Sequence, residues 1–167
     1  MAETRDPRRF LLMFAVGIGL MAVLVSGILY MQRGARIGLT GQFLKVRTAA
    51  LDENSTVVVV DFRVNNPSDV LFVVHTVSLL MEDNDGKTYD GIVSSEVDAK
   101  RLFEGLPLLG QKFNDTLVMR DKIPGRSTTD RMVAVRYEAP EARIQARKRF
   151  LLRIKDVDGA VVEIPER

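Results

Sequence analysis

Residues 57–69 read VVVVDFRVNNPSD. The residues are β-branched and the period is two: Val58, Val60, Phe62 and Val64 fall on one face, while Val57 and Val59 give way to Asp61 and Arg63 on the other. Such alternation predicts a strand with one face in a core and a second face that turns wet along its length. Asn65-Asn66-Pro67-Ser68-Asp69 then closes it with turn chemistry, because Pro67 presets its own φ and forces Asn66 to be extended.

The same grammar continues outward. Candidate strands cover 43–48, 57–64, 70–81, 87–93, 115–120, 131–137, 150–157 and 160–164, short β-branched runs separated by turn residues. Asp85-Gly86 and Asp158-Gly159 are two-residue hairpin signals. In 70–81 the odd positions Leu71, Val73, His75, Val77, Leu79 and Met81 share a face, so His75 either points into the core or is turned out by a bulge near His75-Thr76. Two short helices interrupt the pattern. Ser95 with Asp98 forms a capping box, Ala99, Leu102 and Phe103 share a face, and Gly105 ends a helix over 95–104. Pro140 opens the second, through about Ala146. Neither helix has the length of a layer. The apolar loop Leu106-Pro107-Leu108-Leu109-Gly110, with Phe113 beyond it, is expected to cap an open end of the sandwich, docking to a partner being the other reading of Leu106, Leu108, Leu109 and Phe113.

Upstream, Phe10–Met31 (FLLMFAVGIGLMAVLVSGILYM) runs 22 residues without a charge, Asn, Gln, His or Pro. As a helix it covers roughly 33 Å, a bilayer's hydrocarbon thickness. A transmembrane helix over 10–31 is therefore expected, with a cytoplasmic tail over 1–9, a glycine-containing linker over 32–42 and a β-sandwich domain over 43–167. A cleaved signal peptide is the competing reading, since Arg5, Arg8 and Arg9 precede the run. The run exceeds a signal peptide's apolar region of about 7–15 residues, and no small-x-small cleavage site follows it. Arg33 and Arg36 nearly balance the N-terminal arginines, and the positive-inside rule tips the domain outside the cytoplasm. Ala15, Gly19, Ala22 and Ser26 share a helix face suited to close packing against a partner helix.

Asn65-Asn66-Pro67 after an apolar strand, Asp83-Asn84-Asp85-Gly86-Lys87-Thr88-Tyr89 as a D-x-D-G-K-x-Y hairpin, and Pro124-Gly125-Arg126-Ser127 ahead of Val133, Val135 and Tyr137 resemble a bacterial membrane-tethered immunoglobulin-like domain family of unknown function. The Asn-Pro turn is also similar to late-embryogenesis-abundant group two sandwich domains. The resemblance spans Phe43 to about Ile164 and implies an all-β, immunoglobulin-like antiparallel β-sandwich with short helical insertions, exported and tethered to the bacterial inner membrane by its single N-terminal transmembrane helix. The chain departs from lipoprotein members in lacking cysteine, the segment 95–110 looks like an insertion, and no catalytic residues come with either family.

Chemistry is sparsely written. With no cysteine, thiol nucleophiles, disulfides and thiolate metal sites are excluded, and the one histidine, His75, is read as packed, hydrogen-bonded or bulged rather than catalytic. Placing Gly86 at the sixth position of a calcium loop puts Met81 first and Ile92 twelfth, neither a ligand, and Gly159 puts Ile154 first. Arg143, Arg147, Lys148, Arg149, Arg153 and Lys155 form the densest basic group, but net charge is only +2 with acids interleaved, so no nucleic-acid partner is expected. No catalytic, cofactor-binding or metal-binding residue is assigned. The expectation is a non-enzymatic accessory or scaffold subunit whose partners are the lipid bilayer and other membrane-protein subunits, an electron-transport complex (respiratory or photosynthetic) being one host. The alternative is a module that binds lipid or another apolar ligand.

Overall fold

The computed structural model describes the backbone of residues 7–32 and 38–166, and the side chains of these except 7–10, 12 and 29–32. Arg5, Arg8, Arg9, Arg33 and Arg36, on which the orientation reading rests, lie outside the described side chains. The chain divides into two compact units, Met1–Arg36 and Ile37–Arg167.

The first unit contains α1 (Pro7–Gln32, 26 residues). Its described apolar side chains, from Leu11 through Leu20 and Val23 to Ile28, are exposed. Among the described residues no helix is long and apolar enough to cross a membrane.

The second unit is an all-β antiparallel sandwich. Its elements are β1 (Thr40–Asp52), β2 (Ser55–Asn66), β3 (Phe72–Glu82), β4 (Thr88–Asp90), β5 (Ile92–Val93), α2 (Glu96–Gly105), a 3₁₀ turn (Pro107–Leu109), β6 (Lys122–Ile123), β7 (Ser127–Tyr137), α3 (Glu141–Gln145), β8 (Arg149–Asp156) and β9 (Val161–Pro165). One sheet has the order β1-β2-β7-β5; the other has β4-β3-β8-β9, with β6 beside β3. Between them lie Val58, Val60, Phe62 and Val64 of β2, Val133, Val135 and Tyr137 of β7, and Phe150, Leu152 and Ile154 of β8. Gly41, read as linker, is inside β1 opposite Val64.

β3 shows how the sequence manages a change of face. Phe72 and Val74 enter the core at even positions, and the register of β3 on β8 slips between Val74 and Thr76. Beyond that bulge the core residues are the odd ones, Leu79 and Met81, and His75 is exposed. One extra residue thus exchanges the two faces of the strand. Both Asp-Gly signals mark hairpins, each with a loop one residue longer than expected. Gly86 (φ 82°) and Gly159 (φ 91°) follow turns closed by Gly86 N–H to Asp83 C=O and Gly159 N–H to Asp156 C=O, the three-residue loop whose last position needs φ > 0.

Two strand expectations fail. Residues 115–120 form only an isolated bridge, Thr116 with Met132; Arg120 adopts φ 71°, and pairing moves on to β6. The run 87–93 breaks at Gly91 into β4 of one sheet and β5 of the other. A Cβ at Gly91 would sit 2.9 Å from Tyr137 Cζ and closer still to Val135 Cγ1. The crossover therefore needs a residue with no side chain. Tyr137, packed there, donates its hydroxyl to the Leu79 carbonyl of the opposite sheet at 2.5 Å, and burial pushes its phenol well above the usual range.

Gly91→Ala is expected to cost about 1–3 kcal/mol through overpacking, whereas Gly105→Ala, with open space around its Cβ, should be neutral or gain up to about 1 kcal/mol of helix propensity. Urea denaturation of both variants checks this, and equal midpoints would contradict the close approach.

Candidate functional site

The helical insertion does not close an end of the sandwich. It lies on the outer face of the β1-β2-β7-β5 sheet and builds a second core there. Ser95 Oγ accepts from Asp98 N–H at 3.2 Å and starts α2, which lays Ala99, Leu102 and Phe103 on Val57 and Val59 of β2, Met132 and Ala134 of β7, and Ala49 of β1. The outer face of β2, expected to turn wet after Val59, stays buried through Asp61.

Asp61 is buried because it has a partner. Lys45 stands opposite it on β1, and Arg47, two residues along on the same face, reaches it diagonally. Arg47 Nη2 donates to Asp61 Oδ2 at 2.6 Å, and both side chains are almost wholly buried. Arg47 Nη1 donates to the carbonyls of Leu109 (2.6 Å) and Gln111 (2.7 Å), and Asn114 Nδ2 donates to Asp61 Oδ1 at 2.9 Å. The Phe103 and Phe113 rings flank the guanidinium at 5.1 and 5.4 Å, with Lys45 5.6 Å from Phe113. Arg47 Nε is buried without a hydrogen-bond partner.

The predicted loop residues separate on this frame. Leu109 is buried, 1% exposed, in the second core, and Leu106 packs partly against it. Leu108 (86% exposed) and Phe113 (62%) face outward. On α1, Ala15, Gly19, Ala22 and Ser26 are exposed, and an added Cβ at Gly19 meets nothing within 4 Å.

Beside α2 runs a groove of about 560 Å³, lined by Leu51, Val57, Ile92, Leu102, Leu106 and Arg136 among others. A second, of about 410 Å³, lies between His75–Val77 and Ser95–Glu96, with Leu117 and Met119. Neither is an enclosed cavity. Among the described residues no group of three or more His, Cys, Asp or Glu could hold a metal ion.

The basic group is largely neutralised in place. Arg147 donates to both carboxylate oxygens of Glu166 (2.5 and 3.0 Å) and stacks on Phe150. Glu82 takes Lys148 and Arg149, in that order the causes that hold its carboxyl below the usual range. Arg143 pairs with Asp83 and Arg153 with Glu163. Arg147 and Glu166 are largely covered; the other cations of these pairs stand on a solvated face with acids supplied.

The chain thus carries an all-β, antiparallel two-sheet sandwich with a helical insertion that covers one sheet and presents apolar side chains beside a groove. No family model and no curated protein matches it. Among solved structures, an uncharacterized β-sandwich protein from Clostridium difficile 630 is similar at a TM-score of 0.41 and 10% identity, covering 77% of this chain and 85% of that one.

Leu109→Ala is expected to destabilise the domain by about 2–5 kcal/mol, while Leu108→Ala should stay within about 0.5 kcal/mol of the parent. Thermal unfolding of the full chain in detergent reads both; equal losses would contradict the division of the loop into a buried and a displayed half.

Proposed function

We propose that the chain is a membrane-tethered, non-enzymatic accessory or scaffold subunit that works through protein–protein contacts. The observation that carries this reading is the display of Leu108 and Phe113 on a segment pinned to the sheet by the Arg47–Asp61 pair. Exposed apolar side chains on rigid backbone lose little conformational entropy when a partner covers them, which is how interface anchors gain affinity.

Two further features support the finer reading. The order β1-β2-β7-β5 against β4-β3-β8-β9 corresponds to the A-B-E-D and C′-C-F-G arrangement of immunoglobulin-type sandwiches. The tether rests on the sequence, in which Phe10–Met31 is free of charge, and on the exposed apolar side chains of α1, which lipid would cover. In this reading Ala15, Gly19, Ala22 and Ser26 meet a helix of the host complex, the sandwich lies outside the cytoplasm of a bacterial inner membrane, and an energy-transducing electron-transport assembly is one host.

Because the chain has no cysteine, a single introduced thiol is unique. Leu108→Cys and Phe113→Cys should react with a membrane-impermeant maleimide in intact spheroplasts and, with a bifunctional reagent, give a discrete adduct to one membrane protein; Arg153→Cys on the opposite sheet, also exposed, should label but give no such adduct. Labelling only after lysis would refute the orientation, and adducts no stronger than those of Arg153→Cys would refute docking through this segment.

A further inference from the structure

The sheet that contains β3 is interrupted along one edge. On the side away from β8, β4 pairs with β3 from Leu80 to Glu82, and β6 pairs with it at Phe72 and Val73. Between these two pairings the chain leaves the edge twice. Gly91 carries β4 over to β5 of the other sheet, and residues 118–121 arrive from the Thr116–Met132 bridge of that same sheet. Among the described residues no strand pairs with this edge of β3 between Val74 and Leu79. At about 3.3 Å per residue the gap is about 16 Å long, room for roughly four residues of extended chain.

Hydrogen-bond parity determines what faces the gap, because bonding in an antiparallel ladder alternates between a strand's two edges. Gly91 N–H donates to the Leu79 carbonyl at 3.4 Å and Asp83 N–H to the Lys87 carbonyl at 2.9 Å, so beyond the bulge the odd residues of β3 turn their backbone groups away from β8. Val77 is next in that series, and no backbone group among the described residues meets its N–H or C=O. At the far end the Val74 N–H and C=O are taken by the Asp121 carbonyl and the Arg120 N–H at 2.9 and 2.7 Å. The ladder therefore lacks one short strand. The gap opens into the groove of about 410 Å³, lined across from β3 by Val93, Ser94 and Glu96, and also by the buried Leu117. Glu96 is exposed and forms no ion pair among the described residues.

We propose that an extended segment of a partner protein inserts here as an antiparallel strand, exchanging two backbone hydrogen bonds with Val77 between the ends of β4 and β6. Both of those strands run antiparallel to β3, so the insert continues their direction. Directly paired residues share a face, and Val77 packs against the core; the residue opposite it is therefore apolar and points toward Val93 and Leu117. Its neighbours lie beside Thr76 and Ser78 and are polar, and Glu96 selects a basic side chain. The unpaired backbone singles out an extended polypeptide, since a helix uses its N–H and C=O groups internally and an alkyl chain has none. The site is independent of docking through Leu108 and Phe113.

The test is amide exchange and methyl NMR on the full chain in phosphatidylcholine nanodiscs, with and without the peptide acetyl-VTVTR-amide. In the free chain the Val77 amide should exchange at least about tenfold faster than those of Thr76 and Ser78, which pair with Lys155 and Arg153 of β8. The peptide should slow Val77 exchange and give saturable shifts at the methyls of Val77, Val93 and Leu117. Its analogue N-methylated at the central Val lacks the donor and should bind about tenfold more weakly. Ser94→Trp, which fills the groove, should abolish the shifts, and Glu96→Lys should weaken VTVTR about threefold while favouring VTVTE; both variants should keep the parent's amide protection in β2, β7 and β8. If Ser94→Trp lowers that protection, the reversal of preference in Glu96→Lys decides alone. A Val77 amide as protected as its neighbours in the free chain, non-saturable shifts, or equal binding of the N-methylated peptide would each overturn the proposal. So would Val77 protection that rises with protein concentration alone, which is the signature of a second copy filling the gap.

Discussion

The Arg47 guanidinium stands where three pieces of chain meet: β1, which carries it, β2, whose Asp61 it pairs with, and the insertion, whose Leu109 and Gln111 carbonyls it satisfies. Taking an arginine and an aspartate out of water costs several kcal/mol per ion, and their attraction offsets this only when the remaining donors and acceptors are used. Here most of them are. Two carbonyls of an irregular segment that would otherwise need water take Nη1, Asn114 completes Asp61, and two aromatic rings close over the guanidinium. Removing either ion would leave its partner buried and uncompensated, a loss of about 3–5 kcal/mol in comparable cases.

The rest of the outer face follows from that anchor. With residues 106–114 held down, α2 has a fixed end and its apolar stripe can cover Val57, Val59, Met132 and Ala134, so this sheet has an apolar core on each side. The same constraint displays Leu108 and Phe113 outward and leaves an open groove between α2 and the sheet, with Leu51, Ile92 and Arg136 on its sheet side. Affinity for a partner would thus draw on order already present in the free domain.

Much of the sandwich was legible in the sequence because its signals are local. The alternation in 57–64, the Asn66 turn, the two Asp-Gly hairpins, the Ser95 cap and the bulge at His75 each depend on residues within a few positions. What escaped was set by pairing at long range. The break at Gly91 is dictated by Val135 and Tyr137, and 115–120 looked like a strand although of its apolar residues Leu117 alone enters the core and Met119 is exposed. Asp61 read as the start of a wet face since nothing near it in sequence says that Arg47 lies diagonally across β1. A cation and an anion each set in an apolar strand were the one available hint. For the same reason Leu108 and Leu109 could not be told apart: adjacent leucines in a loop differ only in which carbonyl and which side chain the Arg47 anchor turns toward the sheet.

The direct measurement is native-state hydrogen exchange on Arg47→Met, which keeps the apolar stem and removes the charge and donors. The anchor predicts that amide protection falls across 98–114 while β2, β7 and β8 keep the protection of the parent. Unchanged protection in 98–114, or a uniform loss across the whole sandwich, would contradict it.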